Sequence, residues 1–196
     1  MRPLSYIELY GTCHLCLPGH TYRTASLHDL GSNLLVRFRE RGISSDLDEA
    51  IELFRAVLAL PPNPGWHYYR PSCLHNLADS LMYRFRQRKV LSDLDESIEL
   101  YRAVLVLCPS DPGASHHHLW HSSLHNLSGC LLDRFRKQGV LSDIDEAFEL
   151  YTQLTRASRV ATRNSLGTAQ VMGRLCRAFP ASLCIGRLSD RIEIIG

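Results

Sequence analysis

The residues of this chain best suited to chemistry are its thiols and imidazoles. Cys13-His14-Leu15-Cys16 followed by His20 has the spacing of half a zinc site. A tetrahedral site needs a second pair of ligands, and none follows at a usual distance. Cys13 also falls on the inward stripe of a leading helix, so core thiols are the preferred reading and no metal is expected. His116, His117, His118, His121 and His125 form the densest imidazole cluster. Rings this close can catch Zn, Ni or Cu. Only the more distant Cys108 and Asp111 could complete a set, which favours adventitious binding over a built centre. His28, His75 and His125 occupy equivalent positions in three repeated segments. Catalysis needs one special residue in one special setting, so none of the three is assigned a catalytic role. Ser123 and Cys73 stand near His125 and His75 in sequence, but adjacency is not a nucleophile–base geometry. There is no Gly-rich phosphate loop. The chain is expected to have no catalytic residue and no cofactor, and not to be an enzyme.

Composition narrows the partners. Among 196 residues, 22 basic and 20 acidic side chains leave a formal charge of +2. Proteins that bind nucleic acid usually carry a large basic excess, so no such partner is expected. No run approaches the roughly 18 apolar residues of a membrane helix. Met1 to Leu17 is interrupted by Glu8 and His14 and lacks a small-residue cleavage site, so it does not read as a signal peptide. A cytoplasmic location follows as the expectation. Seven scattered cysteines fit reduced, buried thiols better than a disulfide framework.

The elements that must position any site come from an internal repeat. Ser26–Leu60, Cys73–Leu107 and Ser123–Leu154 align without gaps, with Leu27, Leu74 and Leu124 equivalent and 47 and 50 residues apart. The segments between them, PPNPGWHYYRPS and CPSDPGASHHHLWHS, are rich in Pro, Gly, Ser and His and read as loops. Each unit holds two helices. Leu27, Leu30, Leu34 and Phe38 make one apolar stripe of helical period, and Leu47, Ile51, Phe54 and Leu58 make a second. Between them Ser45-Asp46-Leu47-Asp48 reads as a capping box, repeated as Ser92 with Asp95 and Ser142 with Asp145. Arg37, Arg84 and Arg134 flank the core stripe and are expected to face Asp48, Asp95 and Asp145. Neither helix can bury its stripe alone, and stacked pairs bury both in one continuous core.

These residues resemble the tetratricopeptide repeat, whose signature runs L-G-x2-Y, A-x3-F and Pro. Leu30-Gly31-x2-Leu34, Ala50-x3-Phe54 and Pro62 follow it, with Leu34 in place of the aromatic. Ala78 and Ser128 keep the small residue. Ser97-x3-Tyr101 with Pro109, Ala147-x3-Tyr151, and Tyr6-x3-Tyr10 with Pro18 repeat the second part. The unit exceeds the standard one by about seven residues, placed mostly in the first helix, which lengthens it by roughly 10 Å. This long form resembles kinesin light chain repeats. It looks most like the expanded arrays of mushroom-forming fungi, whose L-x-N-L and R-F motifs recur here and whose arrays often precede a caspase-like peptidase domain.

The resemblance implies an all-α solenoid of stacked antiparallel helix pairs. Residues 1–20 hold the second helix of a truncated leading repeat, 21–65 repeat one, 66–112 repeat two, 113–157 repeat three, and 158–196 a divergent cap or disordered tail. It also implies a protein-interaction scaffold, binding a peptide or partner protein in the groove of the first helices. The alternative is a detached regulatory arm of a caspase-like peptidase, itself inactive. On each first helix a second stripe lies roughly 120° from the core stripe, by 100° per residue. The resemblance selects it as the groove: His28, Ser32, Leu35 and Arg39, then His75, Asp79, Met82 and Arg86, then His125, Gly129, Leu132 and Arg136, with Tyr83 as a bordering anchor. The three arginines form a ladder able to grip carboxylates, so an acidic partner is expected. The competing reading is that they are simply solvated or pair with the next unit.

Overall fold

The computed structural model describes residues 23–62, 66–108, 110 and 116–161, with side chains described to residue 154. Cys13, Cys16, His20, the leading segment and the tail lie outside the described residues. Six helices appear in order: α1 (Arg23–Arg41), α2 (Ser44–Leu58), α3 (Trp66–Arg88), α4 (Leu91–Leu107), α5 (His117–Gln138) and α6 (Ser142–Ala161). There is no strand among the described residues, and no described helix is long and apolar enough to cross a membrane. The chain divides into two compact units, Met1–Ser123 and Leu124–Gly196, so the boundary falls inside α5.

In the first unit α1 packs on α2 and α3 on α4, while α2 and α1 both meet α3. The apolar stripes supply the core: Leu27, Leu34 and Phe38 from α1, Leu47, Ile51 and Phe54 from α2, and Leu77 and Leu81 from α3. Each fully buried Leu, Ile or Phe contributes about 1.5–3 kcal/mol by leaving water. A second cluster joins Leu74, Val104, Cys108 and Leu119. Because α1 has a neighbour in its own pair and another in the next, its buried arc is wider than one stripe. Leu35 is therefore buried with Leu34.

The helix starts differ from the expected capping boxes. α2 begins at Ser44 with Ile43 as N-cap, α4 begins at Leu91 with Val90 as N-cap, and neither N-cap makes a side-chain hydrogen bond. Asp46 and Asp93 are instead buried and committed to arginines. The expected loops are also shorter. Trp66–Ser72 is helical, with Pro71 buried in the second turn of α3, and α5 starts at His117. Pro71 cannot donate a backbone hydrogen bond to that turn, and Trp66 at the helix start is buried in the core.

One left-handed residue closes each first helix. Gly42, Lys89 and Gly139 have φ of 71°, 60° and 71°, and their amides donate to the carbonyls of Phe38, Phe85 and Phe135 at 2.7–2.8 Å. This is the left-handed cap that glycine adopts without strain. Lys89 adopts it with a Cβ, at a cost of about 1 kcal/mol. Lys89→Gly should therefore raise stability by about 1 kcal/mol, read as a higher urea midpoint at unchanged slope. A lower midpoint would mean that the Lys89 ammonium, which donates to the Arg86 carbonyl at 2.7 Å, outweighs the strain.

Candidate functional site

The first-helix face is built in two layers, a sealed polar layer beneath an exposed basic one. In the sealed layer His75 Nδ1 lies 2.8 Å from Ser123 Oγ. Its Nε2 lies 3.9 Å from Asp79 Oδ1, too far for a hydrogen bond. Asp79 is already engaged: Tyr101 donates its hydroxyl to Oδ1 and Arg39 donates to Oδ2. The Tyr101 ring also meets His75 edge-on at 5.7 Å. A Ser–His–Asp sequence of groups thus exists across the repeats, joining positions that adjacency in sequence does not pair. Ser123 and Tyr101 are fully buried, and His75 and Asp79 nearly so. No substrate reaches the hydroxyl, and the carboxylate does not orient the imidazole, so the arrangement lacks the geometry of an acyl-transfer site.

Burial pushes the His75 pKa below its ordinary 6.5, with Arg39 and His118 acting in the same direction and Asp79 opposing them. A histidine held neutral in the folded chain but free to protonate when unfolded stabilises fully above the unfolded pKa. That stability is lost as pH falls below about 6.5 toward the folded value. Urea midpoints should therefore fall between pH 7 and pH 5, and His75→Gln should flatten that fall. An unchanged slope in the variant would show that His75 is not the responsible group.

Three arginines serve the turns within repeats. Arg84 donates to Asp93 through Nε and Nη2 at 2.7 and 2.8 Å, Arg134 to Asp143 at the same distances, and Arg37 likewise to Asp46. The expected partners Asp48, Asp95 and Asp145 stand two residues too late. A helix that begins at its first serine or leucine turns the earlier aspartate inward. Asp48 instead accepts both Nη atoms of Arg88 in the next pair, at 3.0 and 2.7 Å.

Of the residues expected to line a groove, Leu35, His75, Asp79, Met82 and Leu132 are buried, so none of them offers a surface to a ligand. This corrects the expected stripe, for the reason given by the wide buried arc of a stacked helix. Ser32 is half-buried, donates to the His28 carbonyl and accepts from Asn76 at 3.2 Å. His28 is also half-buried, with Nδ1 3.1 Å from Asp29 and Nε2 without a partner among the described residues. His125 is half-buried, and its carbonyl accepts from Ser128. The exposed members are Arg39, Arg86 and Arg136. Arg39 reaches Asp79 of the next pair and lies 5.3 Å over the half-buried Tyr83 ring. Arg136 pairs with Asp133 at 3.3 Å. The pairing of Arg39 across repeats was the competing expectation, and geometry favours it there.

The imidazole cluster lies on a helix start, not a loop. His117 stacks on Trp120 at 5.8 Å and faces His121 at 6.4 Å, while His116 meets Tyr68 at 5.2 Å. No group of three or more metal ligands converges among the described residues. Cys73, Cys108 and Cys130 are buried. The Cys73 thiol is pushed up to about 12 by burial and by Asp29, so it carries no reactive thiolate.

Helix pairs of one pattern, sealed by the same arginine–aspartate bridge at each turn, define the class: an all-α, tetratricopeptide-like repeat fold. The chain is similar to a crystal structure of a Podosopora anserina chain assigned as a kinesin light chain, with nearly identical TPR-like repeats. The two share 22% sequence identity at a TM-score of 0.53, over 89% of this chain and 72% of that one. No family model matches the sequence, and no curated protein does.

Proposed function

We propose that this protein is an interaction scaffold that holds a peptide or partner protein on the exposed face of its first helices. Arrays of this fold present extended surfaces rather than reaction centres. The observation that carries the reading is the Arg39–Tyr83 pair. An exposed guanidinium lies over a half-buried aromatic ring, and that guanidinium already binds one carboxylate, Asp79. Tyr and Arg are the residues most enriched at interface hot spots. Arg86 stands at the same position in the next first helix, and Arg136 repeats it in the second unit. The ligand this surface favours is a peptide bearing an acidic side chain or a C-terminal carboxylate, gripped by the fork of Arg86 and seated against Tyr83.

The test is a panel of carboxylate-bearing and amidated peptides measured against wild type, Arg86→Ala, and the Arg39→Ala, Arg86→Ala, Arg136→Ala triple variant. The best peptide should carry a free carboxylate and lose affinity as salt rises. Removing Arg86 should weaken it roughly tenfold, the loss of a charge-assisted bidentate contact. Equal affinity in the folded triple variant would remove this face as the site.

A further inference from the structure

One polar cluster in the first unit departs from the repeat. In its second helix pair His75, Asp79 and Tyr101 stand together. The equivalent positions hold His28, Ser32 and Phe54 in the first pair, and His125, Gly129 and Tyr151 in the second unit. The repeat therefore does not require a carboxylate at position 79, and burying an ion pair is a poor way for a fold to gain stability. Asp79 is 5% exposed. It accepts from the Tyr101 hydroxyl through Oδ1 and from the Arg39 guanidinium through Oδ2. The Arg39 contact crosses from α1 to α3 and so clasps one helix pair to the next. His75 Nδ1 lies 2.8 Å from Ser123 Oγ. Its Nε2 stops 3.9 Å from Asp79 Oδ1, about 1 Å outside the reach of a charge-assisted hydrogen bond.

We propose that this cluster is a pH-sensitive latch: His75, on gaining a proton, draws Asp79 to itself and releases Arg39 from the clasp. The groups facing His75 are Asp79 on its own helix, Arg39 from α1, Tyr101 from α4, and His118 and Ser123 from α5. A neutral imidazole carries one N–H and the imidazolium two, so protonation makes Nε2 a cationic donor facing Oδ1. One buried carboxylate then has two cations, and one of them must yield. His75 and Tyr101 are buried and cannot turn to water. The Arg39 side chain is 42% exposed, so water replaces its partner at little cost. The Tyr83 ring, 5.3 Å away, still offers it a cation–π contact. Arg39 is therefore the member that lets go. Burial, with Arg39 and His118 acting the same way against Asp79, holds the His75 pKa below 6.5. The latch is thus shut at neutral pH and opens only in the acid range below that value. The released guanidinium lies on the exposed first-helix face, a consequence for binding that rests on the function proposed above. Proton and acidic ligand then favour each other, each by the same factor.

The test follows the His75 ring and the Arg39 guanidinium of the full chain by NMR between about pH 7.5 and pH 4.5, which brackets the ordinary imidazole range. Circular dichroism checks that helix content is retained. In wild type the Arg39 signals should move with the same midpoint as the His75 ring, and in His75→Gln they should stay flat. The acid-state Arg39 signals should match those of Asp79→Asn at neutral pH, where the clasp is already open. Arg39→Ala, a substitution at an exposed site, should raise the His75 midpoint by roughly half a pH unit or more, since it removes a like charge. The carboxylate peptide that binds wild type best should bind roughly fivefold tighter below the His75 midpoint than above it, the low end of such couplings. The gain should vanish in His75→Gln, a comparison that cancels the peptide's own titration. Arg39 signals indifferent to the His75 midpoint would overturn the latch. So would acid-state signals unlike those of Asp79→Asn, or an equal gain in His75→Gln. If no peptide binds at either pH, the first-helix reading fails, and the Arg39 signals still decide the latch.

Discussion

Arg84→Ala should lower the stability of the first unit by about 3 kcal/mol, the largest loss expected from any single charge in that unit. Asp93 is 3% exposed and receives two guanidinium hydrogen bonds, and Arg84 itself is only 20% exposed. Truncating the arginine leaves a carboxylate buried without its cation, and such a loss typically costs 3–5 kcal/mol before relaxation. Arg84 also approaches Asp48 at 3.7 Å, so its removal loosens the neighbouring pair. Trp66 and Trp120 both lie in the first unit, and their fluorescence during urea unfolding reads the effect directly. Arg88→Ala is the contrast. Its bridge to Asp48 joins two side chains that are each about two-fifths exposed, water replaces it readily, and the midpoint should not move within error. Equal losses from both variants would mean that burial of the aspartate is not what makes the turn bridge matter.

Gly31→Leu should cost about 3 kcal/mol, at the upper end of what overpacking costs. A Cβ at position 31 would lie 2.9 Å from Cε1 of Phe54, and Phe54 is fully buried, so the ring has no free volume to enter. Even Gly31→Ala should destabilise, although alanine is the better helix former by about 1 kcal/mol. Gly129 is also helical, but among the described residues nothing beyond its own stretch of helix lies within 4 Å of its would-be Cβ. Gly129→Ala should therefore stabilise the second unit by up to about 1 kcal/mol. Thermal unfolding followed by circular dichroism gives both signs. The same substitution moving both glycines in one direction would show that helix propensity, not the approach of Phe54, governs position 31.

Two things were legible from residue types and spacing alone. Aliphatic and aromatic residues at helical period, recurring in three aligned segments, specify helix pairs, because a helix must bury its stripe and a repeated stripe can be buried only against its own copy. The small residue recurring at Gly31, Ala78 and Ser128 was equally legible as a motif, whereas the ring that approaches Gly31, Phe54, came only from the structure. Helix starts were not. Ser45 and Asp48 satisfy the capping pattern, yet the chain begins α2 at Ser44, because that register lets Asp46 turn inward to Arg37. A local rule lost to a buried ion pair that forms only when the two helices meet.

Tertiary structure decided which parts of the first helices face solvent. A helical wheel drawn for one helix places Leu35, Met82 and Leu132 on a face apart from the core stripe, and a wheel knows nothing of neighbours. Within the first unit α1 is flanked by α2 and α3, and Leu35 of its second column is buried as fully as Leu34 of the first. Likewise His75 and Ser123 lie 48 residues apart in sequence and 2.8 Å apart in space. The register of one pair of helices against the next sets that distance, and no periodicity within a single repeat encodes it. Residue order determined the helices and their repetition; the stacking of one repeat on another determined which arginines and tyrosines remain in water to meet a partner.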